Sequence, residues 1–322
     1  MGFFDGLPVV MTGATGFVGG RLARELVARG ARVTAIHRDD GIGTRRLEEA
    51  AASVRFVEAD LLDPVAVRDL LDETRPAVIY HMATYYAVDN DVDLGAMIDT
   101  NVKAGALLVS ACRDRADLRL LVNVGTCAEF GDFRGLADET TRIDPNNAYA
   151  STKAAQTVVM RQLGRDLGVP LTTLRLYNMY GEWEKPERLV PYVILSLMRG
   201  ERVELTAGEQ AKDYSYLGDV VDAFLATAEK HGAAAGETLN IGSGVTVTMR
   251  GLVEEIAKHF PGSDGLVDFG AKPYRPDEMW FQGTSIAAAR RVLGWEPRTS
   301  LADGIASVVG WYRDHAAEYG VA

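Results

Sequence analysis

The residues with the clearest chemical potential are Tyr149 and Lys153, which stand four apart in a predicted helix, Ala148–Leu167. Residues i and i+4 share one face of a helix, so the lysine ammonium can stand beside the tyrosine ring. A free phenol has a pKa of about 10; burial raises it, and a nearby cation lowers it towards the working range. The pair indicates proton exchange with a substrate oxygen. The alternative is an aromatic ring that simply packs on a lysine stem.

Three glycines form a second chemical signal between a predicted strand, Leu7–Met11, and a predicted helix, Phe17–Arg29. Glycine permits the tight turn and lets the backbone approach a pyrophosphate, and the helix N-terminus offers N–H groups to the anion. The strand and helix on either side are the context in which such a triplet binds a dinucleotide. A purely structural turn is the alternative.

The stretch TGATGFVG, with its Gly-x-x-Gly-x-x-Gly spacing, resembles the extended branch of the short-chain dehydrogenase/reductase superfamily. This branch contains sugar-nucleotide epimerases, dehydratases and reductases. The resemblance extends essentially from Val9 to the end of the chain and implies that a nicotinamide dinucleotide is the cofactor. It also implies a third catalytic group, the hydroxyl of Thr126, found by counting back from Phe130-Gly131. The expected catalytic residues are therefore Thr126, Tyr149 and Lys153.

The resemblance implies a set of cofactor contacts along the first half of the chain. Asp60 matches the position that meets the adenine amino group, the segment after His81 matches a cofactor wall, and Asn101 matches an asparagine that supports the site from behind. The full expected set is Gly13, Thr15, Gly16, Phe17, Val18, Gly19, His37, Arg38, Asp60, Leu61, Met82, Ala83, Thr84, Asn101, Tyr149, Lys153 and Tyr177.

The end of the second predicted strand bears on the choice between NAD(H) and NADP(H). NAD-preferring proteins carry an acidic residue there that bonds the ribose hydroxyls. Here His37 takes that position and Arg38 follows, with Arg45 and Arg46 nearby. A guanidinium can grip a 2′-phosphate that a carboxylate would repel. NADP(H) is favoured, and NAD(H) stays possible because a small slip in register would bring Asp39 or Asp40 to this position.

The residues after Thr126 separate the reactions of the family. At these positions the sequences of 4,6-dehydratases resemble Thr-Asp-Glu, whose two carboxyls drive elimination. This chain has Cys127 and Ala128 in place of the two acidic residues. Cys127 is expected to turn away from the reacting carbon, because neighbouring side chains on an extended segment point to opposite faces. Glu129 would lie at the cleft rim without an assignable role. Reduction of a ketone or 4-epimerisation through a transient ketone remains.

The second half of the chain carries weaker matches to the substrate-binding parts of the family. In an acidic protein, Lys212 and Arg275 would supply the local positive field that a diphosphate needs. The expected substrate contacts are Tyr85, Thr126, Asn178, Val190, Lys212 and Arg275.

The elements that must position these residues alternate between strands and helices, which predicts parallel βαβ units. The expected fold is α/β, a Rossmann-type doubly wound parallel sheet with a smaller mixed α/β substrate lobe. Residues 1–177 would form the dinucleotide-binding domain, parts of 215–245 would return to it, and 178–322 would form mainly the substrate lobe. The predicted strands are Leu7–Met11, Arg32–Ile36, Val54–Val57, Ala77–His81, Leu118–Val124 and Leu171–Leu176. The further predicted helices are Val65–Leu71 and Ala96–Arg113.

Composition narrows the classes of partner. The formal charge of −11 argues against nucleic acid, since phosphate binding needs a basic face. The two cysteines, Cys112 and Cys127, lack metal-ligand spacing and fit a reducing compartment, so no metal is expected. The apolar runs are too short to cross a bilayer, and the first residues do not resemble a signal peptide, which predicts a cytoplasmic location without membrane contact.

Three hypotheses follow for function. The leading one is an NADPH-dependent 4-ketoreductase acting on a nucleoside-diphosphate sugar. The second is a sugar-nucleotide 4-epimerase that retains its NAD. A non-catalytic dinucleotide sensor is the third, and the presence of Thr126, Tyr149 and Lys153 argues against it, because a sensor has no need of them. The family resemblance also implies a homodimer formed through the helices Ala96–Arg113 and Ala148–Leu167.

Overall fold

The computed structural model describes residues 2–37, 44–86, 92–263, 265–276 and 278–321. The strands, in chain order, are β1 (Pro8–Thr12), β2 (Arg32–His37), β3 (Val54–Glu58), β4 (Val78–His81), β5 (Leu120–Thr126), β6 (Leu136–Ala137), β7 (Leu171–Leu176), β8 (Asn178–Tyr180), β9 (Val203–Leu205), β10 (Ala211–Tyr216), β11 (Thr238–Ile241), β12 (Thr246–Thr248), β13 (Val267–Phe269) and β14 (Phe281–Thr284).

The α-helices are α1 (Phe17–Ala28), α2 (Pro64–Thr74), α3 (Leu94–Ile98), α4 (Ala104–Ala111), α5 (Ala148–Leu167), α6 (Leu189–Met198), α7 (Leu217–Glu229), α8 (His231–Ala234), α9 (Met249–Ala257), α10 (Ala287–Leu293) and α11 (Leu301–Asp314). Three 3₁₀ segments, Thr44–Ser53, Cys127–Phe130 and Ala316–Tyr319, and one π-helical segment, Asp99–Lys103, complete the described elements.

Seven strands form one parallel sheet in the order β3-β2-β1-β4-β5-β7-β11. Its central strands are buried on both faces, as their continuous apolar runs predict. The direction of winding reverses between β1 and β4, and ligands of such sheets bind beyond the carboxyl ends at this reversal. The predicted Rossmann-type fold is confirmed, and the reversal lies beside Thr12 and His81, the paired last residues of β1 and β4.

Helix α5, which carries Tyr149 and Lys153, has well-defined ends. The side chain of Asn147 accepts a hydrogen bond of 2.9 Å from the backbone N–H of Ala150, which caps the N-terminus. Gly168 ends the helix with a φ of +67°, a left-handed conformation that favours glycine. The predicted boundaries of this helix agree with those observed.

The predicted helix Ala96–Arg113 is interrupted in the structure. α3 and α4 are joined by the π-helical segment Asp99–Lys103, which inserts extra residues into the turn. The apolar pattern of the sequence cannot distinguish such a turn from a continuous α-helix. Asn101 lies within it and is fully buried.

A second lobe packs its own core and sheet. Strands run in the order β12-β10-β14-β6, with β8 also paired to β10, and β9 pairs with β13 in a separate two-stranded sheet. The core lies between α6, α9 and α11. Its fully buried members include Val193, Ile194, Leu252, Val253, Ile256, Ile305 and Val308.

The chain passes between the two lobes several times. β11 returns to the edge of the seven-stranded sheet, whereas β6, from the first half of the chain, pairs with β14 in the second lobe. The assignment of residues 178–322 to substrate binding stays a prediction. Within the described ranges, the structure has no helix of the length and apolarity needed to span a membrane.

Candidate active site

The glycine loop forms a cradle at the carboxyl end of β1. Gly13 has a φ of +68°, and a Cβ atom there would lie 2.7 Å from the carbonyl carbon of Met82. A Cβ on Gly19 would lie 2.2 Å from the carbonyl oxygen of Gly13, so helix and loop pack too closely for any side chain. Gly16 is exposed, and a Cβ on it would meet only the Gly13 oxygen.

The N-terminus of α1 opens onto this cradle. Gly16 is its N-cap and no side chain caps the helix, so its first N–H groups face the space above the loop. Such an end, reached across exposed glycine backbone, fits the pyrophosphate of a dinucleotide. The expected contacts Thr15, Phe17 and Val18 belong to the same loop and first turn.

A buried hydrogen-bond set holds the adjacent wall. The Thr12 hydroxyl accepts bonds from the backbone N–H groups of Met82 (3.1 Å) and Ala83 (3.0 Å), so its own proton goes to Nδ1 of His81 at 2.9 Å. Burial, followed by the nearby Lys153, lowers the pKa of His81 to about 3. His81 is therefore a neutral structural histidine that fixes the wall residues Met82 and Ala83.

Asn101 supports the next residues of this wall. Its side-chain oxygen accepts from the backbone N–H of Tyr85 (2.7 Å) and from the Thr84 hydroxyl (3.1 Å). Its amide donates to the Tyr85 carbonyl (3.1 Å) and to the Thr152 hydroxyl (3.0 Å). Because these bonds use its whole hydrogen-bonding capacity, Asn101 fixes Thr84 and Tyr85 from behind rather than facing the cofactor.

The three predicted catalytic residues come together where β5 ends beside α5. Thr126 is the last residue of β5, and its side chain lies close enough to the Tyr149 hydroxyl to lower the pKa of that phenol. Lys153 is 2 % exposed, and its Nζ donates to the Val124 carbonyl at 2.7 Å and to Oε1 of Gln156. Thr126 and Tyr149 therefore lie close together at the end of β5, and Lys153 is buried one turn further along α5.

Burial determines the protonation of this group. It raises the pKa of Tyr149, an effect that Cys127 reinforces and that the nearby Thr126 side chain opposes. It also lowers the pKa of Lys153 to about 8, which Glu129 opposes. At neutral pH, Tyr149 is a neutral phenol able to donate a proton and Lys153 is mainly an ammonium.

The expected ribose and adenine contacts lie along the carboxyl ends of β2 and β3. His37 is the last residue of β2 and its ring packs edge-on against Phe56. Asp60 is exposed, and its side chain accepts from the backbone N–H of Leu62 at 2.9 Å, in the loop that also holds Leu61. Arg38, with Asp39 and Asp40, lies outside the described residues, as does the side chain of Arg45.

Arg46 has a structural role in the described part of the chain. It donates to the backbone carbonyls of Thr15 (3.1 Å) and Trp183 (3.0 Å), and burial lowers the pKa of its guanidinium. These bonds tie the underside of the glycine loop to the second lobe. Two nitrogens of its guanidinium, Nε and Nη1, are thereby engaged by backbone carbonyls.

The segment after Thr126 differs from the expected extended form. Residues Cys127–Phe130 form one 3₁₀ turn, with Thr126 as its N-cap, so alternation of faces does not apply to it. The Cys127 thiol is buried, accepts a hydrogen bond from Nε2 of Gln282 at 3.3 Å, and has its pKa raised by burial to about 12. It is a neutral thiol at neutral pH, and it packs in a small cluster with Phe130, Ala137 and Tyr177.

Glu129 was placed at the cleft rim, and this prediction was wrong. The side chain is completely buried and pairs with Arg175, Nε to Oε2, at 2.8 Å. The turn carries its residue 129 inwards, towards β7, instead of outwards. The two residues are 46 apart in the chain, so no local sequence pattern predicts the pair.

The expected substrate residues of the second lobe form a mixed group. Asn178 donates to the Asp213 carbonyl (3.1 Å) and to Oε1 of Gln282 (3.2 Å), so Gln282, which the sequence did not single out, joins Asn178 to Cys127. Lys212 pairs with Glu278 at 3.1 Å. Its positive charge is therefore already neutralised.

Three further expected contacts differ in exposure. Arg275 is exposed. Val190 is 3 % exposed and belongs to the core of the second lobe, which does not favour direct contact with a ligand. Tyr177 is buried in a small cluster with Cys127, Phe130 and Ala137, underneath the turn that follows Thr126.

Comparison with known proteins gives a consistent family relationship. The sequence pattern of the NAD dependent epimerase/dehydratase family matches residues 9–242, from β1 to the end of β11. A dTDP-glucose 4,6-dehydratase of Xanthomonas campestris pv. campestris is 30% identical over 325 aligned positions, which cover 94% of this chain and 92% of the relative.

Solved structures are similar over nearly the whole chain. DesIV, a dTDP-glucose 4,6-dehydratase from Streptomyces venezuelae with NAD and TYD bound, is 26% identical with a TM-score of 0.86, covering 96% of this chain and 98% of that one. A UDP-glucose 4-epimerase from Thermus thermophilus, in complex with NAD, is 27% identical with a TM-score of 0.82, covering 95% and 98%.

Proposed function

This chain belongs to the NAD dependent epimerase/dehydratase family, and on that premise we propose that it is a nicotinamide-dependent 4-ketoreductase of nucleoside-diphosphate sugars. The similar structures with bound NAD and bound nucleotide support the cofactor type and the substrate class. The open glycine cradle and the trio Thr126, Tyr149 and Lys153 support oxidation–reduction at a carbonyl or hydroxyl.

The observation that favours reduction over elimination is the set of side chains in the turn after Thr126. Dehydratases of this family use two carboxyls here, and this chain has Cys127 and Ala128. The one carboxyl of the turn, on Glu129, is buried against Arg175 and does not reach the cleft. The name carried by the relatives that are dehydratases therefore does not transfer to this chain.

The residues divide the reaction between them. When bound, the nicotinamide supplies the hydride. Tyr149, protonated at neutral pH, donates its hydroxyl proton to the substrate oxygen as that oxygen gains charge. Thr126 hydrogen-bonds the same oxygen and so fixes its distance from Tyr149. Lys153 places a positive charge behind Tyr149, which stabilises the phenolate left after the transfer.

A direct assay tests this function. We expect purified protein to oxidise NADPH or NADH when 4-keto nucleoside-diphosphate sugars with different bases are added, and to leave saturated 4-hydroxy sugar nucleotides unreduced. Interconversion of 4-epimers without added cofactor would replace this proposal with an NAD-retaining 4-epimerase, the alternative that the similar epimerase structure favours. A protein that binds dinucleotide and turns over no substrate would be a sensor.

The preference for NADP(H) depends on Arg38. We predict that Arg38→Ala weakens NADPH binding about tenfold or more, because a bidentate guanidinium–phosphate contact is lost, and leaves NADH binding nearly unchanged. Titration calorimetry with both cofactors measures this. Asp60→Ala is the control, since it should affect both cofactors alike. Equal effects on both cofactors in Arg38→Ala would mean that Arg38 does not bind a 2′-phosphate and that the assumed register at the end of the second strand is wrong.

We also propose a homodimer formed through α3 and α5. Leu94 (51 %), Ile98 (45 %) and Val158 (46 %) are large apolar side chains exposed on these helices, and a second copy would cover them. Light scattering should give a mass near twice 34.9 kDa. Ile98→Glu should reduce it to one chain, whereas Val245→Glu, at an exposed valine outside these helices, should not. A monomeric wild type would refute the dimer.

A further inference from the structure

A buried ion pair lies directly behind the catalytic trio. Arg175 Nε donates to Glu129 Oε2 at 2.8 Å, and the two side chains are 4 % and 0 % exposed. The Arg175 guanidinium also lies 4.9 Å from the centre of the Phe130 ring, which holds it on its second face. Buried ion pairs of this kind often add little to stability, so their retention calls for another explanation.

The second carboxylate oxygen of Glu129 touches both elements that carry catalytic side chains. Oε1 accepts from the backbone N–H of Thr126 at 3.0 Å and from the Thr157 hydroxyl at 2.9 Å. Thr157 follows Tyr149 and Lys153 on the same face of α5, at the spacing i, i+4 and i+8. One carboxylate thus fixes the end of β5 against α5.

The chain leaves room for this contact. A Cβ on Gly125 would lie 2.6 Å from Oε1 of Glu129, so any other residue before Thr126 would push the carboxylate away. The hydrogen bond that the Glu129 carboxylate accepts from the Thr126 N–H is half of a capping box. The other half is the Thr126 hydroxyl, which accepts from the Ala128 N–H at 3.3 Å.

The charges around Lys153 are asymmetric. The titratable groups that interact with it are Glu129 on the turn and His81 on β4; Arg175 on β7 pairs with Glu129, and Tyr149 lies one turn earlier on α5. His81 and Tyr149 are neutral at neutral pH, and Arg175 is already paired. Glu129 is the anion of the group, and it opposes the desolvation of the lysine.

We propose that Glu129 and Arg175 are positioning residues of the reductase: the pair fixes Thr126 at the end of β5, and its carboxylate stabilises the Lys153 ammonium. Arg175 acts through Glu129, whose orientation and charge it maintains. The proposal rests on the proposed function for the roles of Thr126 and Lys153. Neither member of the pair touches the substrate.

The titration of Lys153 tests the charge without substrate or cofactor. In protein labelled with ¹³C at the lysine side chains, with the Lys153 signal assigned by its loss in Lys153→Arg, Glu129→Gln should lower the pKa of Lys153 by about 1 unit, as expected when an opposite charge is removed. Glu129→Asp, which retains the charge, should leave it close to wild type. An unchanged Lys153 titration in folded Glu129→Gln would overturn the electrostatic role.

The pH profile of turnover tests the consequence for catalysis. In Glu129→Gln, the alkaline limb of kcat should move to lower pH, because Lys153 loses its proton earlier, and kcat should fall at least about tenfold while the KM for the dinucleotide stays constant. Glu129→Asp should keep the wild-type limb with a lower kcat, since its shorter side chain holds Thr126 less well. A uniform loss with no shift of the limb would indicate a structural role only and refute the proposal.

A double variant guards against loss of folding. Glu129→Gln with Arg175→Met removes both charges and leaves no unpaired ion in the core, so it should fold even if the single variant does not. It should show the same lowered Lys153 titration. If the wild type reduces no sugar nucleotide, the proposed function fails, and the lysine titration still decides whether the pair controls Lys153.

Discussion

Tyr149→Phe should lower kcat by about 10²–10⁴-fold, the contribution typical of a well-placed general acid. Burial keeps the phenol protonated at neutral pH, so Tyr149 has a proton to give to the substrate oxygen. The aromatic ring is retained, so dinucleotide affinity should change less than about threefold. Steady-state kinetics and dinucleotide titration on the same preparation measure both quantities.

Tyr80→Phe is the matched control for this substitution. Tyr80 lies on β4, outside the trio, and its buried hydroxyl donates to the Phe224 carbonyl at 3.2 Å. The substitution therefore also removes a buried hydroxyl. It should cost about 1 kcal/mol of stability and little turnover. If Tyr149→Phe retained full turnover, proton donation would have to come from elsewhere, and the role of the trio would be wrong.

Gly19→Ala should abolish useful dinucleotide binding. The added Cβ would lie 2.2 Å from the Gly13 oxygen and 2.9 Å from the Ala14 Cα, both backbone atoms that cannot step aside alone. The first turn of α1 must therefore move away from the loop, which disrupts the cradle for the pyrophosphate. Overpacking of this kind costs about 1–3 kcal/mol, so affinity should fall at least about tenfold.

Gly310→Ala separates this effect from a general intolerance of helical glycine. Gly310 lies within α11, and a Cβ there would meet nothing within 4 Å. The substitution should raise stability by about 0.5–1 kcal/mol and leave dinucleotide binding unchanged. Thermal unfolding and fluorescence titration of the two variants give the comparison. Normal affinity in Gly19→Ala would show that the cofactor binds elsewhere.

Local signals were sufficient to predict the fold and the shared helix of Tyr149 and Lys153, while the catalytic roles of these residues stay a prediction. The strands and helices of the parallel sheet follow from hydrophobic periodicity and from glycines such as Gly13 and Gly168, whose conformations are set within a few residues. Tyr149 and Lys153 are four residues apart in one helix, so their spacing alone predicts that they lie on the same helical face. Thr126 required the family resemblance, because it lies on a different element.

Features that depend on distant partners could not be predicted. The inward path of Glu129 follows from a 3₁₀ turn and from Arg175, which is 46 residues away. The role of Arg46 depends on the carbonyls of Thr15 and Trp183, and no local pattern reports such bonds. The π-helical turn around Asn101 pairs residues i and i+5, whereas an α-helix pairs i and i+4. The spacing of apolar residues in the sequence is too coarse to show this difference.

The segment between the two catalytic elements is anchored in the second lobe. Residues 131–147 begin after the turn that holds Thr126 and end at the cap of α5. Between these points, Leu136 pairs with Gly283 and the side chain of Asp132 accepts from the Trp280 N–H at 3.2 Å, both in the second lobe. The side chain of Glu139 accepts from the Asn240 N–H at 2.8 Å, on β11 at the edge of the seven-stranded sheet.

The lobe expected to bind the substrate thus contacts the segment that joins the turn after Thr126 to the start of α5. Substitutions in the second lobe that change the accepted sugar must also preserve the contacts of residues 131–147. Otherwise the hydroxyl of Thr126 and the phenol of Tyr149 move apart. Changes of specificity and changes of turnover should therefore be inherited together.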